Sequence, residues 1–411
     1  MLFRSFNLFA ASLMTAFLTV SCGGESAPAP SGLAARANES TMTVSWDALP
    51  GVEYWLFYGP TSGAPASSDA TTPWIGLVGG GTARNIGSPY VISGLVNGTS
   101  YSVTINGRTN GGPGGPGALA VSATPRPAGS IWTAGSTNPP GSNDLHAAAF
   151  GTVYIAAGNN GAMYSSTDGA TWSALNFATS SNLNGASFFS TYKLVGDGGV
   201  VLTSPDAATW TPQTSGTTQN LYAIASNNAN LNVAVGANGT IITSADAITW
   251  TAATNSATTS HLYGVVYSPL NSGTWVAVGA GGTVVESPDG LTWHAVTSNT
   301  TADLRGVAYG TSTLAPTATT FVAVGASSTV LTSADGIIWT VQVLPGTGAL
   351  NAVTFGTQFV AAGTGGRIFT TTDVTAWTLT AAATPQTLYA VARGTLAYLA
   401  VGALGTNLLS K

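Results

Sequence analysis

Charge is what this sequence has least of. Only 6% of its 411 residues are Asp, Glu, Lys or Arg, against about 25% in ordinary soluble chains. Ten Lys plus Arg and a net charge of −5 leave no basic stripe that could displace counterions from a phosphate backbone, which argues against nucleic acid as a partner. Cysteine is nearly missing too: Cys22 stands alone, so no intramolecular disulfide can form and cysteine-based zinc sites are excluded. His146, His261 and His294 lie far apart at no metal-ligand spacing. The Asp/Asn-rich loops carry no calcium-binding pattern, so no metal or cofactor is expected. Beyond the first twenty residues no apolar run is long enough to span a membrane. What remains is rich in Gly, with 52, and 44% hydrophobic, the profile of an exported all-β chain with many turns rather than a disordered one.

The N-terminus reads as an export signal. Arg4 precedes an apolar run from Phe6 to Val20, followed at once by Cys22-Gly23-Gly24 and a Ser/Ala/Pro stretch. Leu18-Thr19-Val20-Ser21-Cys22 resembles a bacterial lipobox, although the Leu lies one position further out than that family prefers. The resemblance implies a signal peptide over 1–21, lipidation of Cys22 and a tether over 22–30, with acyl chains contributing roughly 0.8 kcal/mol per buried CH₂ to a membrane anchor. Gly23 is not the Asp that retains enterobacterial lipoproteins in the inner membrane, so the expected location is the outer membrane or cell surface. The competing reading is ordinary signal-peptidase cleavage with Cys22 left as a free thiol.

Residues 31–126 alternate over short runs, Thr41 to Trp46, Val52 to Tyr58, Tyr90 to Leu95, Ser100 to Thr104 and Leu119 to Thr124, separated by turn residues. That spacing predicts an all-β sandwich. Trp46, together with Gly94-Leu95 placed six residues before Tyr101, resembles a fibronectin type III domain with its buried Trp and tyrosine corner. The resemblance implies a spacer.

Residues 130–411 repeat themselves. Six segments end alike, from Ser166-Thr167-Asp168-Gly169-Ala170-Thr171-Trp172 through the corresponding turns at Asp206, Asp246, Asp289, Asp335 and Asp373, and their Trp residues recur about every 38 to 46 positions. Each repeat offers four short strands, which predicts a propeller blade. The last repeat supplies three, and Ile131-Trp132-Thr133 is expected to provide its fourth, giving seven blades closed by an N-terminal strand. The turns resemble the Asp-box of sialidase-like and photosystem II assembly-factor-like propellers, one residue shorter, with Ala207, Ala247 and Val374 where the other three have Gly. Their carboxylates are expected to hold a tight turn by accepting backbone N–H bonds, a structural role rather than ligand or metal binding.

Little is left for catalysis. Apart from those six, the propeller's acids are Asp144, Asp197, Glu286 and Asp303, and its bases, short of the terminal Lys411, are Lys193, Arg305, Arg367 and Arg393. An inverting glycosidase needs two carboxylates about 6.5–9.5 Å apart, and Asp144 with Asp303 are the pair to nominate, against the simpler account that both cap turns. A sialidase would need three converging Arg. No enzyme activity is expected. One constellation suggests binding: the residue after the Leu that opens each innermost strand is His146, Asn184, Tyr222, Tyr263, Arg305, Asn351 or Tyr389. By symmetry these form one ring at the channel mouth, a polar and aromatic surface suited to a glycan or a protein ligand, with His146, Tyr222, Tyr263, Arg305 and Tyr389 as contacts. The expected function is therefore a monomeric, non-enzymatic surface lipoprotein presenting a binding or scaffolding platform. The alternatives are an Asp-box-type glycoside hydrolase and a purely structural surface protein.

Overall fold

The chain is described here from a computed structural model covering residues 26–64, 78–135 and 142–410, less 176, 178, 228, 230, 270–272, 312–318, 382 and 396. The expected export signal and Cys22 lie outside the described residues. The chain divides into two compact units, Met1–Pro125 and Arg126–Lys411. Both are all-β, and among the described residues no helix exceeds a single 3₁₀ turn.

In the first unit two antiparallel sheets share one core. One sheet orders Ala34–Asn38, Thr41–Ser45 and Tyr90–Ser93; the other orders Gly81–Ile86, Val52–Pro60, Tyr101–Thr109 and Val121–Ala123. Alternation puts Met42 and Val44 of one sheet and Tyr54, Leu56, Val103 and Ile105 of the other against Trp46, which packs 5.4 Å from the Tyr54 ring. Two tyrosines tie their rings to turns by the same device. The Tyr101 hydroxyl accepts from the Val96 N–H at 3.1 Å, and that of Tyr54 from the Leu49 N–H at 2.8 Å. The sequence reading missed two strands, Ala34–Asn38 and Gly81–Ile86. Both are sheet-edge strands with few buried positions, so neither shows an apolar alternation.

Among the described residues the second unit is a set of four-stranded antiparallel sheets, numbered 1–7 here: 145–174, 183–213, 221–252, 262–296, 304–343, 350–379, and 388–410 completed by Thr133–Ala134. Each innermost strand packs on the innermost strand of the next sheet, and Leu388–Arg393 packs back on Leu145–Phe150, so the arrangement closes into a propeller. Second strands such as Asn232–Gly236 and Phe359–Gly363 are buried along their whole length because sheets cover both faces, which explains the unbroken apolar runs. Apolar clusters fill the joints between sheets. Trp339, for example, sits with Val276, Val278 and Val284 of sheet 4 and with Phe321 and Leu331 of its own sheet 5.

Two kinds of turn hold each sheet. Strands 3 and 4 are joined by the Asp turns. Asp289 Oδ1 accepts from the N–H groups of Leu291 and Thr292, both at 2.8 Å, and from Ser287 Oγ at 2.9 Å. The other five Asp residues repeat the pattern. The residue after each Asp is left-handed, which Gly169, Gly290 and Gly336 adopt freely but Ala207, Ala247 and Val374, at φ 62°, 61° and 60°, do not. Backbone donors hold Asp168, Asp206 and Asp246 down at a pKa of about 2, Thr171, Thr209 and Thr249 contributing most.

A seventh such turn is split between distant parts of the chain. Ser410 Oγ accepts from the Gly129 N–H at 2.8 Å, as Ser287 Oγ accepts from Gly290, and Trp132 Nε1 donates to the Gly129 carbonyl as Trp293 does to Gly290. The closing strand is Thr133–Ala134, paired with Leu409 and Leu408; it shares Thr133 with the expected Ile131–Thr133 but starts two residues later, because Ile131 and Trp132 belong to this turn.

Strands 2 and 3 are joined by a Gly-x-x-Gly turn that sequence reading did not single out. Its third and fourth residues are both left-handed in all seven sheets, as in Gly281 and Gly282, or Asn238 and Gly239. The opening Gly has no room for a side chain: a Cβ on Gly279 would lie 2.0 Å from the His261 carbonyl oxygen, and one on Gly325 equally close to that of Asp303.

Candidate functional site

The expected ring is assembled by backbone irregularity. In every sheet the Leu opening the innermost strand pairs with the Gly that opens the Gly-x-x-Gly turn, and the next pair skips a residue: Leu262 faces Gly279 and Gly264 faces Val278, leaving Tyr263 unpaired. The same shift falls at His146, Asn184, Tyr222, Arg305, Asn351 and Tyr389. A bulge frees one residue from the ladder and re-aims its side chain. Here seven bulges at one level aim seven side chains at the channel mouth. The residue that follows is always Gly or Ala. Only these fit where innermost strands converge, since a Cβ on Gly306 would already lie 3.1 Å from Ala352 Cα.

All seven side chains, with Asp303, line one open depression of about 370 Å³. Aromatic groups stand on two sides of it. Tyr222 and Tyr263 have ring centroids 5.5 Å apart, with His261 at 6.3 and 6.2 Å from them; on the other side His146 and Tyr389 lie 4.7 Å apart. The polar groups between them are pinned. Asn184 Nδ2 donates to Asp197 Oδ1 at 2.9 Å and to the Leu221 carbonyl of the next sheet at 3.1 Å, and Asn351 Nδ2 donates to the Leu388 carbonyl at 2.8 Å. Arg305, exposed, is oriented by one bond from Nη1 to Asn351 Oδ1 at 2.8 Å, which leaves most of its donor fork free for a ligand. Burial raises the pKa of the Tyr263 hydroxyl, helped by Asp303 and Tyr222 and opposed by Arg305, and burial and Asp144 raise that of Tyr389. Both phenols thus stay protonated hydrogen-bond donors at physiological pH. All five nominated contacts, His146, Tyr222, Tyr263, Arg305 and Tyr389, line this depression.

The two carboxylates weighed as a glycosidase pair hold turns. Asp303 Oδ1 accepts from the Gly281 N–H at 2.8 Å and Asp144 Oδ1 from the Leu404 N–H at 2.9 Å. Asn182, Asn220 and His261 occupy the same place in their sheets and accept from the turn of the preceding sheet at 3.0, 2.9 and 3.1 Å. Together these five latch one sheet to the next, a feature the sequence reading missed although the polar residue before five of the seven opening Leu marks it.

The three Arg do not meet. Arg367 donates to the Pro345 carbonyl and Ser328 Oγ and lies over Phe369, whereas Arg393 stacks on Tyr398. His294 Nδ1 lies 3.3 Å from Glu286 Oε1 on the outer strands. Among the described residues no three His, Cys, Asp or Glu side chains gather as a ligand set.

Comparison with known proteins bears on the fold. A family described as the DUF6242 beta propeller domain matches residues 114–220, less than half of the chain. No curated protein matches by sequence. Among solved structures, YCF48 bound to D1 peptide superposes with a TM-score of 0.56 at 17% identity, over 68% of this chain and 94% of that one. YCF48 from Cyanidioschyzon merolae gives 0.53 at 16% identity, covering 68% and 98%. The WD40 β-propeller domain of Doa1 gives 0.53 at 9% identity, covering 68% and 97%. At such identities the likeness concerns architecture alone, and it identifies the C-terminal part of this chain as a β-propeller.

Proposed function

We propose that the chain is a non-enzymatic, monomeric surface lipoprotein in which a fibronectin type III-like domain acts as spacer for a seven-bladed β-propeller, and the propeller's central ring binds a glycan or a peptide segment of a protein. The observation that carries the binding role is the seven-fold bulge, which presents Tyr222, Tyr263, Tyr389, His146 and Arg305 to one depression while their backbones stay locked in the closed ring. Two aromatic walls flanking a guanidinium suit a sugar face or an extended chain carrying polar groups, since flat apolar faces stack and the Arg and Tyr donors orient. The binding of D1 peptide by YCF48 is a property of that protein, but it supports a peptide as one of the two ligand classes. Support for the spacer is the Tyr101–Val96 bond together with buried Trp46. The lipid anchor rests on the sequence around Cys22.

Glycan and peptide arrays probed with the chain from Ser26 onward test this reading. Binding that disappears in the Tyr222→Ala/Tyr263→Ala double variant, with an unchanged melting temperature, is the expected result. Binding that survives the double variant moves the site elsewhere, and release of reducing ends from a bound glycan makes the chain a hydrolase, with Asp144 and Asp303 the residues to replace first.

A further inference from the structure

The seven sheets serve as internal controls for one another, and two adjacent ones depart from the rule at the same place. Four residues before the Gly that ends strand 2, six sheets carry an aromatic ring: Tyr154, Tyr192, Trp275, Phe321, Phe359 and Tyr398. Sheet 3 carries Asn232. One position later, six sheets carry an aliphatic residue and sheet 2 carries Lys193. The chain has only two lysines, Lys193 and Lys411, and Lys193 is 2% exposed.

The two exceptions are structurally linked. Where the ring is Tyr, its hydroxyl crosses to the preceding sheet and donates to the carbonyl just before strand 2 or at its start: Tyr192 to Val153 at 2.8 Å, Tyr398 to Gln358 at 2.8 Å, Tyr154 to Ala397 at 3.2 Å. Asn232 cannot reach that far. Its amide folds back on its own sheet, donating to the Ser244 carbonyl at 3.0 Å and accepting from Ser226 Oγ at 2.7 Å. The corresponding carbonyl of sheet 2, that of Thr191, accepts instead from Lys193 Nζ at 3.1 Å, as does the Phe189 carbonyl at 3.1 Å. The space a ring would have filled is an open pocket of about 220 Å³ between sheets 2 and 3, lined by Lys193, Asn232, Ser190, Thr191 and Asp246 among others.

We propose that this pocket is a reaction site in which the Lys193 amine captures a small neutral aldehyde as an imine. In its neutral form the amine can donate one N–H to each of these carbonyls and keep its lone pair for the pocket, as a nucleophile needs. Burial lowers the ammonium pKa to about 8, which raises the neutral fraction near physiological pH. Among the described residues, Asp246 is the only other titratable side chain lining the pocket. Its carboxylate, held at a pKa of about 2 chiefly by the Thr249 and Ile248 N–H groups, stays ionised and disfavours an anionic carbonyl compound. In the reaction the amine nitrogen bonds to the carbonyl carbon, the carbonyl π electrons move to oxygen, and that oxygen leaves as water with the two amine protons. A C=N bond remains, and no oxidant or reductant is consumed.

The test is reductive trapping with glycolaldehyde and cyanoborohydride at pH 7.5, read by peptide mass spectrometry with Lys411 as the reference. Lys193 is expected to be modified faster than Lys411 by about tenfold or more, given an ordinary lysine pKa near 10.4. Glyoxylate, a small anionic aldehyde, should label Lys193 more slowly than glycolaldehyde. Asn232→Tyr, which returns a ring to the pocket, should suppress labelling of Lys193 while leaving that of Lys411 unchanged; Asn232→Ala, which keeps the opening, should preserve it. Lys193 reacting no faster than Lys411, or reacting equally in Asn232→Tyr and the parent, overturns the proposal. Faster labelling by glyoxylate overturns the assignment of a neutral ligand.

Discussion

The two ends of the propeller's strands solve the same problem, a tight reversal, by opposite means. At the outer end a side chain makes the turn: an Asp gathers two backbone N–H groups and a hydroxyl, and the fold tolerates Ala or Val at a left-handed position because the carboxylate holds the backbone there. At the ring end the backbone makes the turn, with a Gly whose missing Cβ lets strand 2 touch the carbonyl just before the opening Leu of its own sheet. The variable residue there is only a latch, and it can be Asp, Asn or His. Where a side chain sets geometry, sequence is repeated and function has no freedom. Where the backbone sets geometry, the neighbouring side chains are free to differ, and the candidate site sits at that end.

This contrast orders the expected effects of substitution. The largest belongs to the outer end's anchor: Trp293→Ala, emptying a fully buried site, should lower stability by about 3–5 kcal/mol in urea unfolding. At the ring end Gly279→Ala should lower it by about 3 kcal/mol, because the added carbon meets a carbonyl oxygen that belongs to a packed strand. A tolerated Gly279→Ala would mean that the backbone there can yield, and the contrast would fail.

Acid separates the ends further. Folded-state pKa values of about 2 for Asp168, Asp206 and Asp246 lie below their unfolded values, so their contribution is fully present above about pH 4 and is lost as pH falls toward 2. The urea midpoint should drop across that window, and a triple Asp→Asn variant should show a shallower drop.

Smaller still, Val374→Gly should stabilise the chain by about 1 kcal/mol by relieving a left-handed β-branched residue, visible as a rise in melting temperature. Smallest is Asp303→Asn, whose side-chain oxygen can still accept from Gly281 as Asn220 does from Gly198; its melting temperature should stay within about 2 °C of the parent.

Periodicity made much of this legible in advance. The recurring Ser-x-Asp and Trp marked the outer turns, and counting one residue past each opening Leu found all seven ring positions, because a repeat carries its geometry from sheet to sheet. The bulge behind that ring was not legible, since a register shift depends on which residues of two strands face each other rather than on the composition of either. The Gly-x-x-Gly turns were visible as letters but passed over. Ser328 replaces the closing Gly of one turn, and in a chain with 52 glycines the pattern has little contrast. Ala34–Asn38 and Gly81–Ile86 escaped because edge strands need no apolar face. Lys193 and Asn232 would have stood out had the second strands been aligned on their final Gly.

The split seventh turn has a consequence for how the molecule is made. Its parts lie 281 residues apart, Gly129 against Ser410, and the strand pair beside it joins Thr133 to Leu409 across 276. A growing chain therefore carries its early sheets with two raw edges until residues 407–410 emerge, and closing so long a loop is slow. With charge on only 6% of residues, little electrostatic repulsion keeps those edges from the edges of other copies in the interval. Yield during biosynthesis should thus be governed by the time to ring closure and by whatever chaperone shields the open ring, more than by the stability of the finished one.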